Sequence, residues 1–142
     1  MQVLLNVPDL KRRDSIRDRA MLHLCFSAGL RVSELVHLPL QALEWQPSPN
    51  VHVFGKGCRE RLLPLWKQTV SDLRAWLAVR GQPAATELFL NARGAPKTRS
   101  GFEYVLKKHV KEAENRCTSL EKKRISPHVL RHYGERYKMV SD

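Results

Sequence analysis

Apolar residues recur at helical spacing in three long segments of the chain, and this pattern predicts three amphipathic helices. The helices cover 14–28, 67–79 and 101–115, and the first is predicted to take Asp14 as its N-cap and to end at Gly29. The stripe of the second helix consists of Trp66, Val70, Leu73 and Leu77. The stripe of the third consists of Phe102, Val105, Leu106, His109, Val110 and Ala113.

Between the first two long helices the pattern changes to short runs of β-branched and apolar residues. Segments 43–45, 51–54 and 61–65 are predicted to form three strands of a small antiparallel sheet. Segment 55–58 carries two glycines and a lysine and is predicted to form the turn between the second and third strands. A further extended run is predicted at 88–90.

Two shorter helices complete the prediction. One covers 32–37 and ends before Pro39, and the other begins at Ser126 as N-cap with Pro127 in its first turn. This last helix would carry His128, Arg131 and His132. The order of elements indicates an α+β fold, mainly α, with helices around a three-stranded antiparallel sheet.

Charge narrows the class of partner. The 142 residues include 25 Lys and Arg against 14 Asp and Glu, so the formal net charge is +11. Such an excess favours a polyanionic partner, either nucleic acid or an anionic membrane surface. The longest apolar stretch, 21–30, is too short to span a bilayer, and the N-terminus has no secretory pattern. Three widely spaced cysteines indicate neither a disulfide framework nor a zinc site, so we expect a reducing, cytoplasmic compartment.

Basic residues next to helix breaks and turns are the candidates for chemistry. Arg31 follows the Gly29 break with Glu34 one turn on, and Lys56 lies between two glycines. His128 and Arg131 are spaced to share one helix face. Arginines, a lysine and a histidine together suit the binding of a phosphodiester and the stabilisation of extra charge on its oxygens.

Three of these segments, in this order, resemble the motifs of the tyrosine recombinase (phage integrase) catalytic domain. They are AGLRVSEL at 28–35, GKG at 55–57 and HVLRH at 128–132. The resemblance runs over 14–132, most of the chain, and three ordered motifs are far more specific than one.

The resemblance implies a role for each matching residue. Arg31 and Arg131 would bind the scissile phosphate and stabilise its transition state, Lys56 would protonate the leaving 5′ oxygen, and His128 would assist proton transfer. Glu34 and His132 would support the site. The family's chemistry uses no metal and no cofactor, because guanidinium groups supply the positive charge; a tyrosine attacks the phosphate.

The match is incomplete at both ends. We expect 1–13 to be a lead-in without the family's DNA-clasping domain, 14–132 to be a partial catalytic domain, and 133–142 to be a divergent tail. The family's second His or Trp and its nucleophilic Tyr lie beyond the second arginine, and no residue here is assigned as nucleophile. A frameshift, an interrupted gene or deliberate shortening would each produce this pattern. The expected behaviour is DNA binding without strand cleavage by this chain alone.

Double-stranded DNA is the expected partner, together with other recombinase subunits and no membrane. Four further cations are predicted to contact DNA, namely Arg59, Lys107, Lys108 and Lys111.

Plainer interpretations of three site residues stay open: Lys56 as a solvated turn residue, Glu34 as a first-turn acid favoured by the helix dipole, and His132 as a structural histidine. His128 and His132 could also bind a metal, although no third ligand stands out. An alternative function is a non-catalytic DNA-binding or interaction protein that modulates intact recombinases. An RNA-binding domain is a weaker alternative, because the sequence has no motif of aromatic residues for stacking on bases.

Overall fold

A computed structural model describes residues 2–55 and 59–116 and confirms the predicted fold class of helices around a small antiparallel sheet. In chain order the elements are α1 Gln2–Asn6, α2 Arg13–Ala28, α3 Val32–Val36, a 3₁₀ helix Leu40–Ala42, β1 Leu43–Glu44, β2 Asn50–Phe54, β3 Glu60–Pro64, α4 Lys67–Arg80 and α5 Arg99–Arg116. The helix predicted to begin at Ser126 lies outside the described residues.

The three strands form one antiparallel sheet in the order β1-β2-β3. Val51 pairs with Leu43 on one side and Leu63 on the other, while Val53 pairs with Arg61. Because side chains alternate along a strand, these residues share one face of the sheet, and Val51 and Val53 are fully buried on it. The position of Arg61 on this inner face is therefore unusual for a charged residue.

The first long helix lies at the centre of the molecule, and all residues from Ala20 to Leu30 are buried. Gly29 ends it in the left-handed conformation, with φ 65°, as predicted. The predicted N-cap at Asp14 is wrong, because the helix begins at Arg13 after Arg12 and no side chain caps it. Asp14 lies instead in the first turn, where its carboxylate accepts a hydrogen bond from Arg17.

The predicted stripe of α4 is only partly right. Leu73 is buried as expected, but Trp66, Val70 and Leu77 are half-buried. The buried face is centred instead on Trp76 and on polar residues that pattern analysis assigns to solvent, namely Thr69, Asp72 and Arg80. Each of these polar side chains has a partner in the interior, which makes its burial tolerable.

Two polar networks join the helices inside the core. Arg19 of α2 donates to Asp72 of α4 at 3.1 Å, and His23 lies 3.3 Å from the other oxygen of the same carboxylate. Asp18 of α2 accepts hydrogen bonds from Arg17 at 2.8 Å and faces Nε2 of His109 on α5 at 2.9 Å. The second network fixes the position of α5 on α2.

The first and last described helices pack together. The short helix α1 was not predicted, yet its Leu4 and Leu5 are fully buried and α1 contacts both α2 and α5. The predicted stripe of α5 is confirmed, since Phe102, Leu106 and Ala113 are buried in the same core. Helix α5 begins two residues earlier than predicted.

Candidate nucleic-acid interface

The break between α2 and α3 places Arg31 at the surface. Gly29 donates its N–H to the carbonyl of Cys25 at 3.1 Å, and its positive φ turns the chain out of α2. Leu30 then enters the core, fully buried, and anchors the turn. Arg31 follows as the N-cap of α3 in extended conformation, with its side chain exposed. The break therefore holds the backbone of this arginine in place, while its side chain is exposed and pairs with none of the residues that the structure describes.

Glu34 holds the start of α3 through both of its carboxylate oxygens. Its Oε1 accepts the backbone N–H of Arg31 at 2.8 Å, and its Oε2 accepts a hydrogen bond from Nη2 of Arg61 in an ion pair. The Glu34 side chain is 9% exposed and that of Arg61 is 36% exposed. Within the described residues, the basic partner of Glu34 is therefore the Arg61 guanidinium rather than that of Arg31.

The hairpin between β2 and β3 lies directly beside this carboxylate. Gly55 donates its N–H to the carbonyl of Arg59 at 2.8 Å. A Cβ on Gly55 would come 3.4 Å from Oε2 of Glu34, so the hairpin backbone approaches the carboxylate closely. A cavity of about 230 Å³ lies here, lined by Arg31, Glu34, Gly55, Arg59 and Arg61.

Two further cavities extend this one into a continuous surface depression. A cavity of about 510 Å³ shares Arg31, Glu34 and Gly55 with the first. It shares Ser33 and His37 with a third cavity of about 330 Å³. We call the whole depression the basic trough; its charged and polar lining includes Arg31, Ser33, Glu34, His37, Arg59, Arg61, Lys97, Thr98 and Arg99.

Positive charge dominates the trough. Its one carboxylate on the described lining, Glu34, is already paired with Arg61, and Arg99 is paired with the exposed Glu103 at 3.3 Å. The side chains of Arg31 and Arg59 make no hydrogen bond or ion pair with any other described residue. Burial, and to a smaller extent the nearby Arg17, lowers the pKa of Lys97 from its ordinary value. Arg31 and Arg59 are therefore two cations of the trough that no described carboxylate neutralises.

A histidine on the outer face of the sheet, His52, also lines the trough. His52 lies 2.5 Å from Oε1 of Glu60 through Nδ1 and 2.9 Å from Oε1 of Glu44 through Nε2. The hydrogen bond with Glu60 raises the pKa of His52, with a further contribution from Glu44. Protonation of His52 is therefore favoured, and it adds a charge that two carboxylates balance.

The predicted site residues divide into three groups. Arg31, Glu34 and Arg59 meet in the basic trough, whereas three predicted lysines are exposed on α5 and line none of its cavities, namely Lys107, Lys108 and Lys111. Four predicted residues lie outside the described part of the chain, namely Lys56, His128, Arg131 and His132.

Sequence analysis missed Arg61, Lys97 and Arg99 as trough residues. A signal for Arg61 exists, because it alternates with Leu63 and so occupies a core-facing position of its strand. A charged residue at such a position indicates a buried partner of opposite charge.

The described residues hold no group of three His, Cys, Asp or Glu side chains that could bind a metal ion. Within the same residues, none of the helices combines the length and the apolar character needed to cross a bilayer.

Comparison with the profiles of known protein families shows which family this chain belongs to. The profile of the family described as Phage integrase family matches residues 1–135. The chain belongs to the phage integrase family. This match confirms the resemblance that the AGLRVSEL, GKG and HVLRH motifs indicate.

One relative within this family is the tyrosine recombinase XerC of Pelotomaculum thermopropionicum, which is 40% identical over 139 residues. The alignment covers 91% of this chain and 43% of XerC. The phage integrase family chain therefore spans less than half the length of this curated relative.

Solved recombinases have the same fold. The XerA recombinase superposes with a TM-score of 0.82 at 22% identity, over 99% of this chain and 48% of XerA. The XerH site-specific recombinase, bound to its difH substrate in a pre-cleavage complex, gives a TM-score of 0.75 at 22% identity over 99% of this chain and 42% of XerH. At this identity the two structures confirm the fold of this family member.

Proposed function

We propose that this chain supplies the phosphate-binding part of a site-specific tyrosine recombinase and that the basic trough holds a DNA backbone. The observation that carries the proposal is a pair of cations, Arg31 and Arg59, which no described residue neutralises and which line one cavity of about 230 Å³. Guanidinium groups bind phosphate oxygens with two parallel hydrogen bonds, so both side chains suit a phosphodiester.

The length of the trough favours a polymer over a single small anion. From Arg59 it continues past Arg31 and His37 to Lys97 and Arg99, so cations recur along its course. Duplex DNA carries one charge per about 1.7 Å of helix axis, so a bound duplex presents phosphates to several of these cations at once. XerH, which shares this fold, is bound to a DNA substrate in its structure. Double-stranded DNA is accordingly the proposed partner, in the cytoplasm and on the nucleoid.

We assign the roles of Arg31 and Glu34 on the family motifs together with this geometry, and those of the residues outside the described part of the chain on the motifs alone. Arg31 binds the scissile phosphate and stabilises the charge that grows on its oxygens in the transition state. When a tyrosine attacks this phosphate and displaces the 5′ oxygen, Lys56 protonates that oxygen, and Arg131 and His128 assist at the same phosphate; no residue of this chain is assigned as the tyrosine. Glu34 supports the set by fixing the Arg31 backbone, and His132 supports it beside Arg131. Metal ions and cofactors have no part in this proposed chemistry.

The exposed lysines of α5 have a secondary role in the proposal. Lys107, Lys108 and Lys111 lie outside the trough and would contact phosphates that flank the bound segment. Association with further recombinase subunits is part of the same proposal.

Binding of a short fluorescent duplex, followed by anisotropy at low salt, tests the proposal. Arg31→Gln and Arg59→Gln should each weaken binding about five- to tenfold, because each removes one phosphate contact. The matched control is Arg93→Gln, an exposed arginine that lines none of the trough cavities and should change affinity less than about twofold. Equal losses in all three variants would show that only net charge matters and would refute the proposed site.

A further inference from the structure

Arg61 occupies an unusual position for a cation at a phosphate site, because its charge is already used. Its guanidinium is paired with Glu34, whose other oxygen caps the Arg31 backbone. We propose that Arg61 is a positioning residue that occupies the Glu34 carboxylate and thereby keeps the Arg31 guanidinium free for phosphate. The inference rests on the proposed role of Arg31 in phosphate binding.

The Glu34 carboxylate competes strongly with a phosphate for the Arg31 guanidinium. Glu34 and Arg31 line the same two cavities, and Arg31 is the N-cap residue of the helix that carries Glu34 in its first turn. A Glu34 side chain that is 9% exposed cannot draw much compensation from water, so it needs a cation close by. Without Arg61, the guanidinium of Arg31 is the cation that remains for Glu34 on the α3 side of this cavity, with Arg59 on the hairpin side.

The fold commits Arg61 to this task through its strand position. In the sheet register Arg61 pairs with Val53, a buried residue, so its side chain points to the inner face rather than to solvent. The side chain of its neighbour Glu60 lies on the opposite face of the sheet, where it is exposed and pairs with His52. The two adjacent charges of β3 are thus directed to opposite sides of the sheet, and only Arg61 reaches Glu34.

Substitution of Arg61 should therefore abolish phosphate binding by Arg31, although Arg31 itself is unchanged. In Arg61→Gln, Glu34 captures the Arg31 guanidinium, and duplex affinity falls by about as much as in Arg31→Gln, roughly tenfold at low salt. The double variant Arg31→Gln/Arg61→Gln should bind no more weakly than Arg31→Gln alone, because the contact is already lost. A further drop of about tenfold in the double variant would instead mean that Arg61 contacts phosphate directly, and would overturn the inference.

Rescue separates positioning from a general charge effect. Glu34→Gln removes the competing charge but keeps an oxygen that can accept the Arg31 N–H, so Glu34→Gln/Arg61→Gln should return to within about twofold of the wild-type affinity. Glu60→Gln/Arg61→Gln changes net charge equally and should give no rescue. Equal recovery with both second substitutions, or recovery with neither, contradicts the proposal.

A readout without DNA keeps this test independent of the proposed function. The NMR signal of the Arg31 Nε–H should move downfield in Arg61→Gln, as the guanidinium binds a carboxylate, and return in Glu34→Gln/Arg61→Gln. Arg61→Met provides a second variant of similar reach should the Gln substitution unfold the chain. An Arg31 signal unchanged in both variants refutes the inference, whereas loss of DNA binding by the wild-type chain would refute only the proposed function.

Discussion

The Asp18 carboxylate should be the most sensitive charged position in the described core. It accepts from Arg17 on one oxygen and contacts His109 of α5 on the other, and the three side chains are 4%, 6% and 3% exposed respectively. Nδ1 of His109 makes no hydrogen bond with the described residues and lies 3.9 Å from Oε2 of Glu112, whereas Nε2 lies 2.9 Å from the Asp18 carboxylate, so Nε2 is assigned as the protonated nitrogen that donates to Asp18. In Asp18→Asn the amide can satisfy only one of these two donors.

The expected loss of unfolding free energy in Asp18→Asn depends on the partners that Arg17 keeps. Removal of one partner of a buried ion pair costs about 3–5 kcal/mol. Arg17 keeps the Leu90 carbonyl at 3.2 Å and the Asp14 carboxylate at 3.3 Å, which places the expected loss at the lower end, about 3 kcal/mol. For a domain of this size that corresponds to a fall in Tm of about 10 °C.

Urea unfolding followed by far-UV circular dichroism measures this loss. Asp14→Asn is the matched control, since it removes a carboxylate from the same guanidinium at a site 47% exposed and should cost less than about 0.5 kcal/mol. A loss in Asp18→Asn within about 0.5 kcal/mol of this control would refute the reasoning that the network anchors α5.

Three further outcomes are expected. Burial raises the pKa of Asp18, but the hydrogen bond with His109 and the charge of Arg17 outweigh it, so the net pKa is lowered from 3.8. The stability that Asp18 contributes is therefore present above about pH 4 and lost as pH falls through its folded pKa; urea unfolding should show the gap between wild type and Asp18→Asn narrowing there and constant at neutral pH. Arg80→Met should lower the unfolding free energy by about 2–3 kcal/mol in the same assay, because Arg80 donates to the carbonyls of Leu88, Ala85 and Glu87; a loss below about 1 kcal/mol contradicts this. Gly29→Ala should cost about 1–2 kcal/mol by thermal unfolding, because its φ of 65° is strained for a residue with a Cβ, and an unchanged Tm refutes the argument.

Periodicity alone located most of the architecture, and its errors have physical causes. The stripe of α5 was correct even at His109, but the pattern could not reveal that this residue is buried by pairing with Asp18, 91 positions away. The stripe of α4 was displaced because Thr69, Asp72 and Arg80 face the core with partners from distant segments. Helix α1 spans five residues, too few for a period to emerge, and is stabilised by packing rather than by its own propensity.

The residues of the candidate site could likewise be identified only in part from local sequence. The motif residues Arg31 and Glu34 could be identified from local sequence, since both lie at one helix break. Local sequence marks Arg61 only as a charged residue at a core-facing strand position; its partner Glu34 lies 27 positions away and could not be identified without the strand register. Lys97 and Arg99 reach the trough because α5 docks against α1 and α3. Long-range pairing, which no local pattern encodes, assembles these residues into one surface.

The salt dependence of duplex binding tests most directly whether Arg31 holds a phosphate. Each phosphate contact contributes about −0.9 to the slope of log K against log salt concentration. The account predicts that Arg31→Gln makes this slope shallower by about 0.9, while Arg93→Gln leaves it equal to that of the wild-type chain. Identical slopes for Arg31→Gln and the wild type, or binding that does not depend on salt, would contradict the account.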